Sequence, residues 1–220
     1  MVGDNLAALY EKLPSAVKLV AVSKFHPVSR LMEAYDAGQR IFGENRPQEL
    51  AAKVPQMPAD VEWHFIGHLQ TNKLKLVLPY VSLVQSVDSL YLLEAINRWG
   101  GENGRAIDIL LELHLGAEET KHGLSEEEIL LCCGNTPSPL GNVRIRGLMG
   151  MATNTEDEAL VEADFARIEA LFNRIRAEHP ELRETFTELS IGMSGDWPIA
   201  IRHGATMVRI GTDIFGPREY

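Results

Sequence analysis

Short apolar stretches recur eight times along the chain, each followed by a segment with helical spacing, and this alternation constrains the fold more than any other feature. The stretches fall at residues 18–23, 40–43, 63–67, 83–87, 107–114, 145–149, 188–191 and 207–210. Strands that alternate with helices pair in parallel, because a helical crossover returns each strand to the same end of the sheet. Eight such units are the number that closes a sheet on itself. The expected fold is therefore a single α/β domain over residues 1–220, a (β/α)8 TIM-type barrel. A short helix over residues 5–13 precedes the first strand and is expected to plug or flank the barrel floor.

The helical segments carry their own boundary signals. Thr155, Glu156, Asp157 and Glu158 open a long amphipathic segment that runs to Glu178 and stops before Pro180. Its apolar positions, among them Leu160, Phe165, Ile168, Leu171 and Ile175, recur with three- and four-residue spacing, a stripe suited to covering the barrel wall. Loop-like clusters at 100–104 and 135–139 both precede strands, which puts them on the face away from ligand binding, and neither marks a second domain. A barrel of this kind has about 250 residues, so a chain of 220 has little to spare for an added module.

Composition narrows the partners. The formal net charge of -10 argues against a nucleic-acid binder, since that affinity comes from Lys and Arg clustered against phosphates, but it leaves room for one buried phosphate. No uninterrupted apolar stretch is long enough to span a bilayer, and residues 1–5 lack the basic region and apolar run of a secretory signal. Cys132 and Cys133 are adjacent and cannot staple distant parts of the chain; beside Leu130 and Leu131 they read as small core residues of a helix. A reducing cytoplasm is the simplest compartment, with no nucleic-acid or membrane partner. Trp99, Trp197 and Tyr220 are as easily explained by local packing as by an interface, and a monomer is expected.

In such a barrel ligands bind at the C-terminal ends of the strands, which narrows the search to residues just past each apolar stretch. Lys24 ends the first. Behind Val20, Ala21, Val22 and Ser23 its amine is placed to be partly desolvated, which favours the neutral form that condenses with a carbonyl. Ser194 and Gly195 follow the seventh strand and open a helix with Pro198 in its first turn, while Gly211 and Thr212 follow the eighth. The loops after strands seven and eight are the usual phosphate site of this fold, built from unpaired N–H groups, small residues and hydroxyls. Arg209 lies two residues before Gly211, so strand alternation aims both the same way. A guanidinium only donates, and a pyridine nitrogen facing it stays unprotonated. An amine, a phosphate turn and a ring-nitrogen partner together describe a pocket for pyridoxal 5'-phosphate (PLP). Each residue alone has a plainer reading: a solvated loop lysine, two tight strand-to-helix turns, and an arginine paired with a barrel carboxylate such as Glu44 or Asp88.

Other chemistries fit less well. His64 and His68 are four residues apart, roughly 13 Å along a strand at ~3.3 Å per residue, too far to share one ion. His114, His122 and His203 lie elsewhere and complete no ligand motif, so no metal site is expected. The run from Gly192 to Asp196 approaches a nucleophile elbow around Ser194, but it lacks the glycine two residues later, and too little chain follows for the acid and the histidine. No dinucleotide fingerprint or P-loop is present.

Several ordered segments make the chain resemble the pyridoxal phosphate homeostasis protein family, related in fold to the N-terminal barrel of alanine racemase. They are Ala21-Val22-Ser23-Lys24, Phe42-Gly43-Glu44-Asn45, Trp63-His64-Phe65-Ile66-Gly67 with Leu69-Gln70 and Asn72-Lys73, Arg146-Gly147-Leu148-Met149, Leu189 to Ser194, and Met207 to Thr212 with Ile214-Phe215-Gly216. The resemblance spans nearly the whole chain. It implies that Lys24 carries PLP as a Schiff base, that Arg209 faces the pyridine nitrogen, that Ser194, Gly195, Gly211 and Thr212 lie near the phosphate, and that Asn45 lies by the ring. Family members usually have Asp or Asn after the serine; this chain has Gly195 before Asp196, and a glycine still offers its N–H. Lys121 matches a family lysine in the loop after strand five, where a solvated loop lysine is its plainer reading.

What the resemblance implies is binding and regulation. Two-base racemisation needs an acid/base group on each face of the substrate carbon, and in alanine racemase the second comes from a separate β domain and the dimer partner. This chain ends at Tyr220 directly after its eighth unit, so the opposing base has no obvious source. An arginine at the ring nitrogen also weakens the electron sink that carbanion chemistry needs. The expected function is to buffer or deliver PLP, with PLP-dependent apoenzymes as recipients and an indirect effect on amino-acid and keto-acid metabolism. A PLP-dependent enzyme such as an amino-acid racemase is the alternative.

Overall fold

The computed structural model describes residues 1–116, 122–134 and 140–217. Eight parallel strands close into one barrel in sequence order: β1 (Lys18–Val22), β2 (Ile41–Glu44), β3 (Glu62–Phe65), β4 (Leu83–Val87), β5 (Ile107–Leu113), β6 (Val143–Gly150), β7 (Glu188–Ser190) and β8 (Met207–Ile210). The closing pair sets Lys18 opposite Met207 and Ala21 opposite Ile210. Helix α1 (Val2–Tyr10) precedes the barrel, and one helix follows each strand: α2 (Val28–Asp36), α3 (Pro47–Lys53), α4 (Leu74–Val77), α5 (Leu90–Glu102), α6 (Glu126–Gly134), α7 (Glu158–Glu178), α8 (Trp197–Arg202) and α9 (Thr212–Phe215). The sequence expectation of a (β/α)8 barrel with a short N-terminal helix is met.

Strand alternation sorts the apolar side chains into two layers. Leu19, Ala21, Phe42, Val84, Ile109 and Leu111 face outward, and Phe165, Ile168, Leu171 and Ile175 of α7 belong to the same outer cluster. Val20, Leu83, Leu110, Met149 and Met207 fill the lumen. Polar side chains are buried within the barrel too, among them His64, Gln85, Glu112, Ser190 and Arg209.

Several boundaries differ from the sequence reading for local reasons. α7 begins at Glu158, because Asp157 caps it, its Oδ1 accepting from Ala159 N at 3.0 Å. Leu160 is consequently exposed, and Val161 takes the buried position. Gly100 and Gly101, read as a loop, form the last turn of α5; a Cβ on Gly100 would stand 2.6 Å from Arg105 O, so glycine there answers a close chain return. The 135–139 cluster lies outside the described residues. α1 flanks the barrel seam and leaves the floor unplugged: Asn5 Nδ2 donates to Ile214 O at 2.9 Å, and the floor cavity is lined by Lys18, Glu62, His64 and Glu188. Cys132 is buried and Cys133 half-buried on α6, and burial pushes their thiols up to about 11 and about 12, which makes them inert. Among the described residues no helix is long and apolar enough to cross a membrane.

Candidate functional site

β1 runs out at Val22, and the next three residues turn over the barrel rim with Lys24 at their centre. Both flanks of Lys24 are pinned. Before it, the buried ammonium of Lys53 donates to Ser23 O at 2.9 Å and to Glu44 Oε1 at 2.6 Å. Ser23 Oγ donates to the same carboxylate oxygen at 2.7 Å. Burial pushes the Glu44 carboxyl up and Lys53 pulls it back. After it, Phe25 adopts a left-handed φ of 68°, a region sparsely used by residues with a Cβ. Its N–H donates to Glu49 Oε2 at 2.9 Å, and the Arg46 guanidinium lies over its ring at 4.4 Å. A strained residue held from two sides beside Lys24 is the pattern of an over-determined turn.

Beyond β7 and β8 the chain makes the two small-residue turns that the sequence indicates. Gly192 sits at φ 94°, and a Cβ there would meet Ala200 Cβ at 2.6 Å, so only glycine brings α8 this close. Its carbonyl accepts from Arg209 N at 2.9 Å, which ties the two turns together. The N–H groups of Ser194 and Gly195 donate to no carbonyl among the described residues. Those of Thr212 and Asp213 open α9 and have no intrahelical partner. These amides, together with the hydroxyls of Ser194 and Thr212, make a donor-rich concavity suited to an anion.

One cavity of ≈ 190 Å³ joins the two halves, lined by Lys24, Ser194, Gly195, Arg209, Gly211 and Thr212. Val22, His26, Met193 and Gly216 complete its wall, and the sequence reading gave none of them a site role. His26 stacks on Phe215 with ring centroids 4.8 Å apart; its place two residues past Lys24, in the same post-strand turn, is the signal that marks it. Asn45, at the end of β2, does not line this cavity. Its Oδ1 is buried without a hydrogen-bond partner among the described residues, an acceptor left open for a donor from elsewhere.

Arg209 is fully enclosed. Nη1 donates to Ser190 O and Ser190 Oγ, each at 2.7 Å, and Nη2 to Gly150 O at 2.9 Å. The plainer reading, a pairing with Glu44 or Asp88, is not what the structure has: Glu44 belongs to Lys53, and Asp88 Oδ2 lies 2.6 Å from His68 Nδ1. Burial pulls Arg209 down to about 10, with Glu112 and Asp196 opposing, so it is a cation at neutral pH. Behind it the polar chain continues. Ser190 Oγ donates to Gln85 Oε1 at 2.7 Å, and Gln85 Nε2 lies 2.9 Å from His64 Nδ1. Burial lowers His64 to about 3, so its ring is neutral and Nδ1 accepts. His64 is thus a lumen residue, while His68 stands beyond Gly67 at the rim; the two are not brought together. Lys121 lies outside the described residues.

The model of the alanine racemase N-terminal domain family matches residues 2–219 of this closed parallel barrel. The pyridoxal phosphate homeostasis protein of Vibrio alginolyticus is 37% identical over 214 residues, covering 95% of this chain and 90% of the relative. PipY of Synechococcus elongatus, solved without PLP, superposes with a TM-score of 0.92 at 40% identity, over 98% of this chain and 100% of its own. The same protein with PLP bound gives 0.87 at 39% identity with the same coverage. The chain belongs to the pyridoxal phosphate homeostasis protein family.

Proposed function

We propose that this protein binds pyridoxal 5'-phosphate through Lys24 and buffers or delivers it. The observation that carries the reading is the single cavity that Lys24 shares with Arg209 and the turns at Ser194–Gly195 and Gly211–Thr212. When bound, the cofactor supplies an aldehyde for a primary amine and a phosphate for hydrogen-bond donors. The residues present fit both demands. Lys24 offers the amine, the amides past β7 and β8 offer donors, and Arg209 offers N–H groups but no proton-accepting atom to a ring nitrogen. Asn45 stands outside this cavity and joins the proposal through its Oδ1, an acceptor without a partner among the described residues that suits a ring hydroxyl. The PLP-bound relative and the names of the relatives favour a homeostatic role over the racemase alternative. Delivery to PLP-dependent apoenzymes, a monomeric state and a cytoplasmic location belong to the same proposal.

The test is an absorbance spectrum of the purified protein with and without added PLP, followed by borohydride reduction and peptide mapping. A visible band, with the label on Lys24 and lost in Lys24→Ala, is expected. Saturating cofactor that produces neither band nor labelled peptide overturns the reading, and a label on Lys121 alone would move the anchor.

A further inference from the structure

Across the barrel mouth from β8, side chains from three successive strand ends meet. His68 follows β3, Asp88 follows β4, and His122 follows β5. Hydrogen bonds fix the chain beside His68 and His122. Ser86 Oγ donates to Gly67 O at 2.5 Å just before His68. On the other side Leu124 N donates to Glu112 O at 2.7 Å and His114 N to Leu124 O at 3.0 Å, returning the chain to β5 two residues after His122. Gly123 between them adopts φ 141°, where a Cβ would lie 2.6 Å from His114 N.

The result is a compact donor set. His68 Nδ1 and His122 Nδ1 stand 2.6 Å and 4.0 Å from Asp88 Oδ2, and all three ligand atoms lie within 4.8 Å of one another. The two imidazoles stack, with centroids 4.1 Å apart and planes at 17°. The Asp88 side chain is only 5% exposed, whereas His68 and His122 are 45% and 60% exposed. Among the described residues no lysine or arginine pairs with Asp88. A buried carboxylate facing two reachable imidazoles attracts positive charge. Protonating both rings would set like charges face to face, whereas one divalent ion satisfies all three donors together.

We propose that His68, Asp88 and His122 form a binding site for a borderline divalent transition-metal ion, with zinc as the reference. Two imidazoles and one carboxylate are a set that zinc accepts, leaving a fourth tetrahedral position for water or a small ligand. Bonds of about 2.0–2.2 Å place tetrahedral donors roughly 3.4 Å apart, so His68 must ease away from Asp88 and His122 must close on it. Both rings are exposed enough to turn. The ion would tie the segment after β5 to the ends of β3 and β4.

The experiment titrates the full chain, without added PLP, with Zn2+ against a chromophoric chelator, and with Co2+ read by its visible d–d bands. One Zn2+ per chain is expected, with affinity at least about tenfold weaker in His68→Asn, His122→Asn and Asp88→Asn. It should be unchanged in the Cys132→Ser/Cys133→Ser double variant and in Lys24→Ala, which separates this site from the proposed cofactor anchor. Absence of stoichiometric Zn2+ binding by the wild-type chain, or binding that survives in His68→Asn/His122→Asn with an unchanged circular dichroism spectrum, overturns the proposal.

Discussion

Arg209 and Gln85 meet on opposite sides of one hydroxyl, that of Ser190, which accepts from Arg209 Nη1 at 2.7 Å and donates to Gln85 Oε1 at 2.7 Å. The hydroxyl has no spare role, so its loss strands a buried amide oxygen. Ser190→Ala should cost about 1–3 kcal/mol, the penalty of an unsatisfied buried group. Ser190→Ala/Gln85→Leu should cost less than the sum of its single variants, because it leaves no orphan at that position. Urea denaturation of the four proteins measures the coupling; strictly additive losses would contradict it.

Lys53 is the buried cation between Ser23 and Glu44. Lys53→Met leaves the Glu44 carboxyl without its counter-charge and should destabilise the fold by about 3–5 kcal/mol. Lys53→Met/Glu44→Leu should recover most of that stability without restoring the hold on Ser23 O. In that double variant, borohydride labelling of Lys24 by PLP should stay weak although denaturation looks nearly normal. Full recovery of labelling would mean that the Lys24 turn needs no such anchor.

Two glycines at the rim should respond oppositely to one methyl group. A Cβ on Gly67 would collide with Asn45 O and stand 2.9 Å from Asn45 Cβ, so Gly67→Ala must push the residue that follows β2. A Cβ on Gly195 meets nothing within 4 Å, and alanine keeps the N–H. Titration by absorbance should show PLP affinity falling about tenfold, or about 1.4 kcal/mol, in Gly67→Ala. Gly195→Ala should stay near wild type. The reverse order would remove Asn45 from the proposed site.

Glu112 projects into the lumen on β5. Burial, then the Asp88 charge, pushes its carboxyl from 4.5 up to about 7, against the pull of Arg209. Because the folded value lies above the unfolded one, the folded state holds its proton longer. Stability is therefore unaffected below about pH 4.5, falls as pH rises towards 7, and carries a constant penalty above that. Glu112→Gln removes the ionisable group, so its stability relative to wild type should improve by up to about 3 kcal/mol between pH 4.5 and pH 8. Denaturation at both pH values checks this; a difference that does not change with pH would show that Glu112 titrates alike in both states.

The barrel was legible because its signals are local. Alternating apolar runs such as Leu19 to Val22 and Val208 to Ile210 face two hydrophobic layers and announce themselves without any tertiary information. That Lys24, Arg209, Gly211 and Thr212 share one end of the barrel was legible for a related reason, since position relative to a strand end is a one-dimensional fact. What sequence reading missed depends on closure. Lys53 reaches back from α3 to hold Ser23, and His122 comes to Asp88 and His68 only because β3, β4 and β5 are neighbours in the finished sheet. The spacing argument about His64 and His68 was sound for that pair, but it could not see partners contributed by other strands. Gly100 shows the opposite error: glycine as punctuation suggested a loop where a near-contact with Arg105 O required a small residue inside a helix.

The seam between β1 and β8 has a consequence for biogenesis. Lys24 is made well before Arg209, Gly211 and Thr212, and their strands become neighbours only when Lys18 pairs with Met207 and Ala21 with Ile210. A nascent chain halted before the eighth strand emerges from the ribosome would expose Lys24 without Arg209, Gly211 and Thr212 beside it. Ligand capture at the proposed site would thus report that the ring has closed.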